Sequence, residues 1–155
     1  MESIRKENEL NLVKIEQAQK LKHLGFDWRT YRGFLKRSDA ETHVIINRTT
    51  AANFNVLDDD DANRFSDALS APTIQLALKW IRKKCGIFHS INTRWINDNK
   101  FAFSIYHNIL PLGLTTCDLS EGADDENDGI IYDYDEAEGK AFEYALNYLI
   151  KNNGV

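Results

Sequence analysis

Residues 70–107 carry the pattern that most restricts the fold: an amphipathic helix, a glycine stop and two strands folded back on each other. Ile74, Ala77, Leu78, Ile81 and Cys85 recur at three- and four-residue steps and make one apolar stripe, with Trp80 at its edge. Pro72 suits a first helical turn, where its missing N–H would have had no partner, so Ser70 or Ala71 is expected as the cap. Lys79, Arg82, Lys83 and Lys84 gather near the negative pole of the helix, and Gly86 is expected to end it in a left-handed conformation. Beyond Gly86 the period becomes two. Ile87, His89, Ile91, Thr93 and Trp95 fall on one face, and Phe101, Phe103, Ile105 and His107 continue it on the next strand. A three-residue loop, Asn97-Asp98-Asn99, keeps these odd-numbered faces together and pairs Trp95 with Phe101 and Ile91 with Ile105. Asn99 suits the left-handed position in such a loop. The odd face is apolar enough for helical cover, and the other face is largely polar.

The rest of the chain adds helices to this unit. A first helix is expected over about Leu12 to Leu24, with Val13 or Ile15, Ala18, Leu21 and Leu24 inward and Gly25 as its stop. Phe26, Trp28, Tyr31 and Phe34 follow as an aromatic lid on one end of the core, and Val44 to Ile46 as a short strand. The pattern weakens from Asn47 to Leu69, where Asp58 to Asp61 reads as an exposed turn, the start of a short helix, or both. Leu112 to Thr116 suggests a third, edge strand. A last helix is expected from Asp133 or Asp135, with Ala137, Ala141, Ala145 and Leu149 as a small-residue stripe widened by Phe142, Leu146 and Tyr148. The expected fold is α+β, a small antiparallel sheet with helices packed on one face. At 155 residues a single domain spanning 1–155 is expected.

No apolar run approaches the ~20 residues of a membrane span, and MESIRKENEL lacks the apolar core of a secretory signal. Two cysteines, Cys85 and Cys117, make no disulfide framework and suit a reducing cytoplasm. Net charge is −5 but unevenly laid out: residues 1–37 carry nine basic and five acidic groups, and residues 118–139 carry ten acidic groups and no basic one. Such a field steers partners and says nothing about fold.

Three segments, AQKLKHLGFD, SAPTIQLALKWIRKKCGI and DYDEAEGKAFEYALNYLIK, resemble a group of small uncharacterised proteins of bacteriophages and mobile elements of Bacteroidetes-type bacteria. The resemblance lies in the helix–hairpin–helix pattern, leaves residues 37–69 outside it, and brings no catalytic residues. It implies a phage or mobile-element setting and the cytoplasm of an infected bacterial host.

Candidate sites follow from residue chemistry. Asp124, Glu126, Asp128, Gly129, Ile131 and Asp135 occupy positions one, three, five, six, eight and twelve of a calcium loop, where alternating carboxylates surround a hard cation. Position three is Glu, Asp135 is short for a bidentate ligand, and no clear helix precedes the loop. The plainer reading is an acidic surface loop ending in a helix cap. The three-residue loop would make His89 and His107 cross-strand neighbours, a zinc pair only if Cys85 or Cys117 and another ligand came close. Cys85 reads as an inert core thiol. No nucleophile elbow or phosphate loop is present, so no enzyme activity and no cofactor are expected.

The order helix, strands, helix is that of a double-stranded-RNA-binding domain, but the last helix opens on DYDEAEGK, the wrong sign for phosphate contacts, and nucleic acid is disfavoured. The first expectation is a non-enzymatic interaction protein acting on a host or phage protein. The alternative is a small-nucleotide binder that sequesters a host defence signal through the polar sheet face, Asn92, Arg94, Ser104 and Tyr106. Mimicry of nucleic acid by the acidic loops is a further expectation, and self-association stays open.

Overall fold

The computed structural model describes residues 11–95, 100–109, 115–118 and 134–152; for 92–95, 100–102, 108–109 and 115–118 it describes the backbone alone. The fold is mixed α+β, with helices on small antiparallel sheets. Where the sequence suggests one domain, contacts gather the chain into two compact units, Leu12–Thr73 and a second that contains Ile74–Val155.

In the first unit, helix α1 (Ile15–His23) lies against a three-stranded sheet of β1 (Thr30–Arg37), β2 (Val44–Ala52) and β3 (Phe65–Ser70), ordered β2-β1-β3. Ala18 and Leu21 are the buried face of α1, and Gly25 ends it at φ 88°, as its place after the apolar stripe predicts. The aromatic segment is not a lid. Its second half is β1, the central strand, which buries Phe34 and leaves Tyr31 in solvent. β1 pairs Gly33, Phe34 and Leu35 with Ile46, Ile45 and Val44 on one side, and with Ser70, Leu69 and Ala68 on the other. Alternation puts Gly33, Leu35, Ile46 and Ala68 on one face, where they meet Phe54 and Leu57, while Phe34, Leu69 and Asp67 share the other. The four aspartates begin a short helix, α2 (Asp59–Ala62), whose N-cap Asp58 accepts a hydrogen bond from the Asp61 N–H at 2.8 Å.

Gly33 is where side chain and backbone meet most closely. A Cβ there would lie 2.4 Å from Cδ1 and 2.5 Å from Cγ of Phe54, so only glycine lets this ring rest on the strand. The Arg48 guanidinium lies over the ring, 5.1 Å from its centroid.

In the second unit, α3 (Ile74–Cys85) buries Ile74, Ala77, Leu78 and Ile81 as the stripe predicts; Trp80 is buried too, and Cys85 is half-buried. The helix starts later than Pro72 suggests, because β3 claims the preceding residues. Ser70 is the last strand residue, and the Ala71 N–H still reaches the Arg32 carbonyl at 3.0 Å. Gly86 ends α3 at φ 69°.

β4 (Ile87–Trp95), β5 (Lys100–Ile109) and β6 (Thr115–Asp118) form an antiparallel sheet in that order; the edge strand expected over Leu112 to Thr116 overlaps β6 at Thr115 and Thr116, and 112–114 lie outside the described residues. The hairpin keeps odd residues opposite odd ones, but two places away from the expected register: Ile91 faces Phe103, and a bulge between Thr93 and Trp95 puts Trp95 opposite Lys100. His89 therefore faces Ile105, and His107 faces Ile87 and Cys117, so the two histidines are not direct cross-strand neighbours. α4 (Tyr134–Asn152) covers the odd face, with Phe103 against Tyr144 and the His107 ring edge-on to Tyr148. Its alanine stripe, with Phe142, Leu146 and Leu149, is buried as expected, whereas the proposed cap Asp133 lies outside the described residues.

Candidate functional site

The two edges of the first sheet differ. In an antiparallel ladder the N–H and C=O of successive residues point alternately to the two neighbours. The Arg32 carbonyl accepts from Ala71 on the β3 side, so Gly33 and Leu35 address β2. Their partners on β3, Ser70 and Ala68, must then point outward, and each is met at one group. The Asn55 side chain accepts the Ser70 N–H at 2.9 Å, and Lys22 Nζ donates to the Ala68 carbonyl at 2.9 Å. Asn55 is itself anchored, its amide donating to the Phe26 carbonyl at 2.8 Å. Side chains thus occupy the β3 edge at the Ser70 N–H and the Ala68 carbonyl.

The β2 edge is not so occupied. Gly33 and Leu35 use the inner groups of Ile46 and Val44, which leaves the N–H and C=O of Ile45 and Asn47 pointing away from the sheet. No hydrogen bond from a described residue reaches them. Val44 and Ile45, on opposite faces, are 52% and 58% exposed, and Tyr31 on the adjoining strand is 64% exposed. After Asn47 the register shifts, so the regular open stretch is short. Arginines bracket it. Arg32 Nε donates to Asn47 Oδ1 at 3.1 Å on the Phe34 face, and Arg48 lies over Phe54 on the Gly33 face.

Across the sheet from this edge a charged cluster ties α1, the β1–β2 connection and β3 together. Asp67 accepts from Lys22 Nζ at 3.0 Å through Oδ1 and bonds His43 Nε2 at 2.8 Å through Oδ2. Burial would raise the Asp67 carboxyl, but its hydrogen bonds to His43 and Lys22, with their charges, hold it below the usual value. The cluster pins the residue before Val44 to the far strand.

No known protein family, curated protein or solved structure matches this chain.

Of the residues expected to form a site on the second sheet, Ser104 and Tyr106 share the face away from α4, opposite Ser90 and Phe88. Asn92 pairs with Ala102 through the backbone, and the side chains of Asn92 and Arg94 lie outside the described residues. Asp124, Glu126 and Asp128 also lie outside them, and Asp135 sits in the first turn of α4. Among the described residues no His, Cys, Asp and Glu side chains group as metal ligands. His107 Nδ1 lies 3.3 Å from the Tyr148 hydroxyl, and burial, with the charge of Arg82, pushes His89 below its ordinary value. Burial pushes the Cys85 thiol up, the environment of an unreactive thiol.

The sequence reading found the start of β2 but not the open edge. The usable signal was Val44-Ile45, two apolar residues that alternation must send to opposite faces of a short strand.

Proposed function

We propose that this chain is a non-enzymatic interaction protein of a bacteriophage or mobile element that captures a host or phage protein by adding one of its extended segments to the β2 edge. One observation carries this reading: in a sheet whose other edge is engaged at Ala68 and Ser70 by Lys22 and Asn55, β2 keeps outward main-chain groups at Ile45 and Asn47, beside exposed apolar side chains. Strand addition draws affinity from such main-chain groups and selectivity from the alternating side chains beside them. The phage setting, in the cytoplasm of an infected bacterium, rests on the likeness of the three segments quoted above. No helix among the described residues is long and apolar enough to cross a membrane.

The test is selection of short peptides from a displayed random library on the immobilised full chain, with Ile45→Pro as the comparison. The Ile45 N–H points outward, so proline removes the docking donor without breaking a β1–β2 bond. Peptides rich in β-branched residues that fail to bind Ile45→Pro are expected. Selected peptides that bind the variant equally well would refute the reading.

A further inference from the structure

The surroundings of the β2 edge specify the chemistry of what it takes, an inference that rests on the docking role given to that edge. β1 and β2 contain Arg32, Lys36, Arg37 and Arg48 and no carboxylate. The loop between them holds Asp39, whose Oδ1 lies 3.2 Å from Arg37 Nε, and Glu41. The charges are also placed. The Arg32–Asn47 hydrogen bond fixes one guanidinium on one face of the sheet, and the Phe54 ring fixes Arg48 on the other, both at the Asn47 end of the open stretch. The opposite end presents Val44 and Ile45. The open edge is therefore apolar at one end and carries a guanidinium on each face at the other, with Asp61 of α2 lining the same hollow as Arg48 on the Phe54 face.

We propose that the β2 edge takes an acidic extended segment of a partner protein, with aliphatic residues against Val44 and Ile45 and carboxylates against Arg32 and Arg48. A strand added to β2 lies ~4.8 Å from it and ~10 Å from β1, within or near a Debye length of both guanidiniums at moderate salt. Carboxylates at successive positions of such a strand point to opposite faces, so one meets each arginine. Arginine also suits this task, because its planar fork can engage a carboxylate with two parallel hydrogen bonds. A second copy of this chain is the weaker occupant, because its β2 carries no carboxylate to meet Arg32 or Arg48.

The experiment uses three synthetic peptides with one common Val/Thr-rich half and a second half carrying Glu, Gln or Lys. Each is titrated into the full-length chain by fluorescence anisotropy, in low and high salt. The Glu peptide is expected to bind about tenfold tighter than the Gln peptide in dilute buffer, with the Lys peptide weakest and the differences shrinking at high salt. Arg48→Gln should reduce the preference for Glu, Arg48→Glu should reverse it, and Ile45→Pro should abolish binding of all three. Equal binding of the three peptides, still lost in Ile45→Pro, would overturn the acidic partner and leave the docking edge standing. Binding of the Glu peptide that survives Ile45→Pro would reduce the effect to unspecific attraction and overturn the proposal. Binding by none of the peptides would remove the docking edge and its acidic partner together.

Discussion

Gly33→Ala is the sharpest test of how the first sheet is packed. The new methyl would lie 2.4, 2.5 and 2.8 Å from Cδ1, Cγ and Cε1 of Phe54, so the ring must retreat by about 1 Å or more to reach ordinary contact near ~3.5–4.0 Å. It has little freedom to do so. The Phe54 N–H donates to Ser70 Oγ at 3.0 Å, and the next residue, Asn55, is bonded to both Ser70 and Phe26. Overpacking of this kind costs about 1–3 kcal/mol, and complete expulsion of the ring would approach the ~3–5 kcal/mol of a buried Phe→Ala change. Against this, losing a glycine from the unfolded chain gains back about 0.4–1 kcal/mol. The net expectation is a loss of about 0.5–2.5 kcal/mol, read as a lower urea midpoint at unchanged slope and as faster amide exchange in β1. In a Phe54→Ala background the same substitution should be neutral or mildly stabilising, giving a coupling of at least ~1 kcal/mol between the positions. An effect of Gly33→Ala within ±0.5 kcal/mol, or an equal cost with and without the Phe54 ring, would refute the reasoning.

Three further outcomes are expected. Ile81, fully buried at the centre of the α3 stripe, should cost about 2–4 kcal/mol when changed to Ala, measured by urea titration. Glu138 is 4% exposed, with no partner for Oε1 among the described residues; burial raises its carboxyl, Gln75 opposes this through a hydrogen bond, and Asp135 adds to it. A raised folded value means stability present below the ordinary glutamate range and lost as pH rises through the folded value, so Glu138→Gln should gain on the wild type from about pH 4 towards neutrality; parallel urea midpoints across that range would contradict it. Asp67 has the opposite sign: its depressed carboxyl contributes stability above the unfolded value of about 3.8, lost as pH falls through the folded one, so Asp67→Asn should be less stable at neutral pH and show a flatter acid limb.

Helices were legible because each buries one stripe. Ile74, Ala77, Leu78 and Ile81 announce α3, the alanines announce α4, and Gly25 and Gly86 mark two stops by the positive φ each takes. The strands of the first unit were mostly hidden for definite reasons. β2 is exposed over most of its length, so Asn47 to Thr50 shows no alternation, and its pairing with β1 depends on distant residues. β3 carries Asp67 on the face covered by α1, which breaks the apolar period; only Lys22 and His43 make that position tolerable. In the second hairpin the alternation specifies face but not register. A shift of two places preserves every face, so nothing in the pattern favours Ile105 over Phe103 as the partner of Ile91. The candidate edge was invisible for a deeper reason: its chemistry belongs to backbone groups, which are alike at every residue and gain meaning only from what lies beside them.

The contacts that Lys22 and Asn55 make with β3 also bear on the valency of this sheet. A sheet open on two sides can accept a strand on one and offer a strand on the other, which is the geometry of an endless fibre. A strand arriving at β3 would have to displace Asn55 from the Ser70 N–H and Lys22 from the Ala68 carbonyl, so addition is biased towards β2. The same Lys22 contact that anchors α1 thus favours capture on one side of this sheet, and a chain lacking the Lys22 ammonium would expose the Ala68 carbonyl and begin to acquire a second side.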